Sequence, residues 1–118
     1  MYSSKYFSDY EFKKIGCRLS DMDESFMHSL DTLREKVGEP LILSSAFRTV
    51  EQNKAAGGVP NSAHLKGMAV DIVALTSRKR YTIVSAALEI GIRRIGIGKS
   101  FVHIDTDTTL PQNVIWLY

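Results

Sequence analysis

Ser62-Ala63-His64-Leu65-Lys66-Gly67-Met68-Ala69-Val70-Asp71-Ile72-Val73 is the stretch whose reading decides the fold of this chain. The segment leading into it, 59–66, carries Pro60, Asn61 and Ser62, three turn formers, and predicts a loop. From Gly67 onward the period changes to two. Met68, Val70 and Ile72 point to one side and Gly67, Ala69 and Asp71 to the other, which predicts a strand over 67–73 with one face of small or acidic residues. An acidic residue inside the apolar run from Ala69 to Val73 needs a partner, because an unpaired buried carboxylate is strongly destabilising.

Toward the amino terminus, Thr49 with Gln52 reads as a capping box that opens a short helix through Ala56, which Gly57 and Gly58 end. Leu41 to Ser45 is a short apolar run after Pro40 and predicts a buried strand. Met22, Phe26, Leu30, Leu33 and Val37 recur at spacings of three and four, which predicts a helix over 21–37 stopped by Gly38 and Pro40. Ser8 with Glu11 predicts a shorter helix ending at Gly16. Toward the carboxyl terminus, Ser77 is the expected cap of a helix whose apolar face is Tyr81, Val84, Ala87 and Leu88 and whose stop is Gly91. Strands are expected over 93–98, 101–106 and 114–117. The order of these elements predicts an α+β fold, a small and mainly antiparallel sheet packed against helices.

The chain has 118 residues, which fits a single domain over 1–118, and its 44% hydrophobic and 24% charged residues match a folded globular protein. A net charge of +2 with scattered basic residues lacks the basic stripe of a nucleic-acid binder. The exception, Arg78-Lys79-Arg80, reads as a solvated helix start that also suits an anionic polymer. Cys17 is the single cysteine, so no internal disulfide can form. No apolar run is long enough to cross a bilayer, and residues 1–10 lack the apolar core of a secretory signal, so synthesis in the cytoplasm is expected.

Three histidines can be weighed one by one. His28 lies on the 21–37 helix and is read as a surface residue. His64 sits in the turn-rich loop, seven residues before Asp71. His103 lies in Phe101-Val102-His103-Ile104-Asp105, where alternation sends His103 and Asp105 to one face. Two imidazoles and a carboxylate can hold a tetrahedral zinc ion and leave one position for water. Gly67 and Ala69, on the face of Asp71, would leave room for it. Spacing alone also admits the alternative that His64 is surface decoration and that Asp71 pairs with Arg48 or with a backbone group.

Ser62-Ala63-His64-Leu65-Lys66-Gly67-Met68-Ala69-Val70-Asp71 resembles the Ser-x-His-x-x-Gly-x-Ala-x-Asp signature of the zinc D-alanyl-D-alanine carboxypeptidases and peptidoglycan endopeptidases, whose metal site is similar to that of hedgehog signalling domains. Ser44-Ser45-Ala46-Phe47-Arg48, Asn53 and Gly57-Gly58 resemble further segments of that family, and the Phe101 to Asp105 strand resembles the last ligand strand of its short, phage-associated members, so the likeness runs from about Phe7 to Asp105. The resemblance implies His64, Asp71 and His103 as ligands of Zn2+ and Arg48 as a contact to substrate or to a developing oxyanion.

One position departs from that pattern. Many members carry a Glu or His two or three residues before the last ligand as general base, and this chain has Phe101 and Ser100 there. Asp105 is then the candidate to accept a proton from zinc-bound water, with orientation of an imidazole as its alternative role. Ser62 is read as a turn residue or ligand orienter, and Trp116 and Tyr118 as core or as a rim that stacks on substrate. The expected function is a zinc-dependent metallopeptidase, a monomer, cutting peptidoglycan stem peptides, of a phage or prophage lysin type or a cellular enzyme. The alternative is an inactive zinc-containing domain that binds cell wall or protein.

Overall fold

The period-two segment forms the second strand of a five-stranded sheet. In the computed structural model, which describes residues 2–118, the strands are β1 (Leu43–Ser45), β2 (Ala69–Val73), β3 (Arg94–Ile97), β4 (Phe101–Asp105) and β5 (Val114–Leu117), in the spatial order β1-β2-β4-β3-β5. The helices are α1 (Asp9–Lys13), α2 (Glu24–Val37), α3 (Val50–Ala55) and α4 (Ser77–Glu89).

Cross-strand register sorts the sheet into two faces. Val70 lies opposite Ile104, Ile72 opposite Val102, and Ile95 opposite Ile104. These side chains are buried, together with Phe26, Met27, Leu30 and Leu33 of α2 and Ile83, Ala86 and Ala87 of α4. Each fully buried large aliphatic or aromatic side chain contributes about 1.5–3 kcal/mol, so this layer is what holds the sheet flat against α2 and α4. The other face carries Asp71 opposite His103 and Ala69 opposite Asp105, and Gly96 next to His103 on β3. Hydrophobic alternation therefore forces the histidine and both carboxylates away from the core.

The fold class is α+β as expected, but the sheet is mixed. β1, β2, β3 and β4 pair antiparallel, whereas β3 and β5 pair parallel. The cause is local: Arg94 is the partner of both Asp105 and Val114, so the chain leaving β4 crosses one strand width at that end and reverses. β5 then runs opposite to β4 and hence along β3.

Several boundaries shift because a different residue caps. Helix α2 starts at Glu24 because the Asp23 carboxylate accepts from the Phe26 amide, and residues 19–21 form a separate 3-10 turn. Thr76, not Ser77, caps α4, accepting from the Lys79 amide at 3.1 Å. The capping box of Thr49 and Gln52 and the left-handed stop at Gly38 occur as read. The expected loop over 59–66 ends in a 3-10 turn, Ala63–Lys66.

One carboxylate ties down the amino-terminal segment. Asp31 of α2 accepts from the Tyr2 hydroxyl at 2.8 Å, the Ser4 hydroxyl at 2.7 Å and the amides of Lys5 and Tyr6 at 3.1 and 3.2 Å. Burial alone would raise its pKa, yet the hydroxyl and amide donors outweigh burial and hold it below the ordinary value. The Tyr2 phenol is pushed up to about 12 by burial and by the same carboxylate.

Candidate active site

His64 is presented by the 3-10 turn rather than by the sheet. Ser62 starts that turn by accepting from the His64 amide at 3.2 Å, and Gly67 ends it with φ of +69°. A Cβ at Gly67 would stand 2.3 Å from the Asp21 carbonyl oxygen, so this position needs glycine for both conformation and space. The Gly67 carbonyl in turn accepts from the Asp23 amide at 2.9 Å, which docks the turn on the start of α2.

Both imidazoles have their outward nitrogen committed. His64 Nδ1 lies 2.6 Å from the Ala46 carbonyl oxygen, and His103 Nε2 lies 2.7 Å from Asp105 Oδ2. Carbonyls and carboxylates only accept, so both outward nitrogens carry the proton. In the neutral rings the inward nitrogens then present lone pairs, and in the protonated rings they donate to Asp71: His64 Nε2 is 3.3 Å and His103 Nδ1 3.0 Å from Asp71 Oδ1. Three acceptor atoms converge on one point with all three residues buried. Such a cluster is repulsive unless a proton or a cation sits within it.

The donor set fits a metal ion. Nitrogen and oxygen donors at about 2.0–2.2 Å from a tetrahedral centre stand about 3.3 Å apart, and the two contacts to Asp71 are near that spacing. The ligating atoms of His64, Asp71 and His103 all lie within 4.8 Å of one another. Without a metal, charge is supplied by protonation. Burial lowers the His103 pKa, but Asp105 and Asp71 outweigh it and raise it above the ordinary imidazole value. For Asp71, burial works upward, and hydrogen bonds from His103 and His64 overcome it and hold the group well below the carboxylate range.

Asp105 is enclosed. It is 1% exposed, with Oδ2 on His103 and Oδ1 accepting from Arg94 Nε at 2.8 Å and from the Asp107 amide at 3.2 Å. Arg48 reaches Asp71 Oδ2 and Asn53 Oδ1, each at 3.5 Å, so the ion pair of Asp71 with Arg48 coexists with the imidazole contacts. His28 lies on the exposed face of α2 against Tyr2, and Cys17 is buried in the core. Arg80 is not merely solvated: its guanidinium donates to the Lys99 carbonyl at 2.6 Å.

The cluster opens into a cleft of about 460 Å³. Its lining includes Gly57, Gly58 and Val59 and the aromatic residues Phe101, Trp116 and Tyr118. The aromatic wall depends on two glycines of the β3 segment. A Cβ at Gly96 would stand 2.6 Å from both the Trp116 indole nitrogen and the Tyr118 ring, and one at Gly98 2.2 Å from the Phe101 ring. Trp116 thereby approaches His103 to 5.3 Å between ring centroids, and Phe101 packs against Tyr118 with tilted rings at 4.9 Å. Arg94 lies over the Trp116 ring at 4.9 Å and donates to the Pro111 carbonyl at 2.6 Å.

Arg94 and the glycine floor were not singled out from sequence. Their signal is the run Arg94-Ile95-Gly96-Ile97-Gly98, in which alternate positions lack side chains on the face that carries His103.

The peptidase M15 family model matches residues 7–105, which include every member of the His64, Asp71 and His103 cluster. No curated protein matches. Among solved structures, the L-Ala D-Glu endopeptidase ChiX of Serratia marcescens is similar in fold, with a TM-score of 0.54 and 18% identity over 89% of this chain and 93% of that chain. Among the described residues no helix is long and apolar enough to cross a membrane.

Proposed function

The chain belongs to the peptidase M15 family, and from that premise we propose that it is a zinc metallopeptidase hydrolysing a peptide bond in the stem peptides of bacterial peptidoglycan. The observation that carries the reading is the convergence of His64 Nε2, Asp71 Oδ1 and His103 Nδ1, three buried groups whose outward partners leave them a proton or a metal cation to share. Bound there, zinc would polarise the scissile carbonyl and make water nucleophilic near neutral pH.

The chain's own groups do the positioning. The Ala46 carbonyl and the Asp105 carboxylate hold the two imidazoles in the tautomers that face inward. Of the two roles open to Asp105, orienting His103 is favoured over proton transfer, because both of its oxygens are already engaged and it is 1% exposed. Arg48, on the cleft side of Asp71 and held only by contacts at 3.5 Å, can swing to a substrate carboxylate or to a carbonyl oxygen gaining charge. A peptidoglycan substrate is supported by the family and by the activity named for the Serratia endopeptidase, and Arg48 suits the anionic stem peptide.

Digestion of purified peptidoglycan by the zinc-loaded protein, read by mass spectrometry of the released muropeptides, tests the reading and identifies the bond. New peptide termini that vanish on chelation support it. An intact wall under all conditions from pH 5 to 9, with zinc bound, would instead favour a binding domain without turnover.

A further inference from the structure

Among the described residues the cleft has no free general acid or base in the usual sense, and this singles out one residue. His64, Asp71 and His103 face one another. Asp105 is spent on His103, Arg94 and the Asp107 amide. The guanidinium groups of Arg48 and Arg94 do not give up a proton at any working pH. Among the described residues that line the cleft, the ionisable side chain left over is Tyr118.

Tyr118 is also held where it can act. Its amide donates to the Ile97 carbonyl at 3.0 Å, which extends the β3–β5 pairing by one residue and fixes the backbone. Gly96 provides the floor on which the ring lies, Phe101 supports it from the side, and the ring centroid is 6.4 Å from that of His103. The residue is 67% exposed, so substrate entering the cleft meets it directly.

Building on the peptidase reading above, we infer that Tyr118 is a catalytic residue whose phenol O–H donates a hydrogen bond to the scissile carbonyl oxygen as that oxygen gains negative charge. The proton stays on the phenol; water adds its oxygen to the carbonyl carbon, one of the water protons passes to the amide nitrogen, the C–N bond breaks, and the amine leaves with a carboxylic acid on the other fragment. Arg48 is then free to hold a substrate carboxylate. A donor aimed at charge that exists only in the transition state raises kcat and leaves ground-state affinity almost unchanged.

Tyr118→Phe tests this, because it keeps the ring against Phe101 and Gly96 and removes only the hydroxyl. The assay uses the soluble muropeptide that the wild-type protein is found to cleave and a phosphinate isostere of the cleaved bond. The expected result is a loss of about 100-fold in kcat with KM within about twofold, and a parallel loss of phosphinate affinity. Bound zinc and the thermal midpoint should be those of the wild type. Unchanged kcat and phosphinate affinity would overturn the inference, as would a rise in KM alone, which marks a residue that merely grips substrate. If the wild-type protein binds no zinc or cleaves nothing, the peptidase reading itself has failed. If it cleaves and Tyr118→Phe equals it, only the role of Tyr118 is lost.

Discussion

His103 gives its Nε2 proton to Asp105 at 2.7 Å, and with that bond made the Nδ1 of the neutral ring turns its lone pair toward Asp71 Oδ1 at 3.0 Å. The residue on the far side of the imidazole thus decides what the near side can bind. Removing Asp105 frees the ring to flip tautomer and rotate. Asp105→Ala is expected to weaken zinc binding by about 10–100-fold, measured by competition with a chromophoric chelator. Wild-type affinity combined with the loss of one limb of the pH–rate profile would instead make Asp105 the base.

Metal removal should reverse the pH dependence of stability. In the metal-free protein the raised pKa of His103 means that its contribution is complete below the unfolded value of 6.5 and is lost as pH rises through the higher folded value. Metal-free protein should therefore lose stability from pH 6.5 upward. Zinc-loaded protein should gain over the same window, because ligands must shed protons to bind metal. Denaturant titrations at pH 5.5 and 8 in chelator or zinc would check the crossing.

Asp31 makes a prediction independent of the cleft. Its depressed pKa stabilises the fold above the unfolded value of 3.8, and that contribution is lost as pH falls through the lower folded value. Asp31→Asn should cost about 2 kcal/mol at pH 7, since four donors lose a charged acceptor, with peptidase activity unchanged. Wild type and variant should converge below about pH 3.

Gly96→Ala asks whether the aromatic wall matters more to substrate than to folding. The added methyl would meet Trp116 and Tyr118 at 2.6 Å, and both side chains end on an edge strand where they can yield. The stability cost should stay at about 1 kcal/mol, while cleavage falls at least about tenfold because the wall no longer lies beside His103. An equal loss in both, read by urea midpoint and muropeptide release, would mean that the wall only packs.

What could be read in the sequence follows from the range of each interaction. Local periodicity carries α2, the β2 strand and the placement of His103 with Asp105 on one face, because these depend on neighbours a few residues apart. The turn around His64 was legible only as a loop, since its 3-10 geometry rests on Ser62 and on Gly67 packing against Asp21. Pairing of β5 with β3 is a contact between distant segments that no periodicity records, and the parallel edge, Arg94 and the position of Tyr118 follow from it. The two roles of Asp105 are inseparable from spacing, because they differ in whether its carboxylate meets the outward nitrogen of His103 or faces the open side of the metal cluster, and strand alternation sets only the face.

The central claim is a cation site with three protein donors and one open position. X-ray absorption at the zinc edge of the loaded protein tests it most directly. The account predicts one zinc per chain, two imidazole nitrogens and oxygen donors at about 2.0–2.2 Å, and loss of the metal in Asp71→Ala. No bound zinc after refolding with excess metal, sulfur scattering that brings in Cys17, or a fourth protein donor closing the site would contradict it.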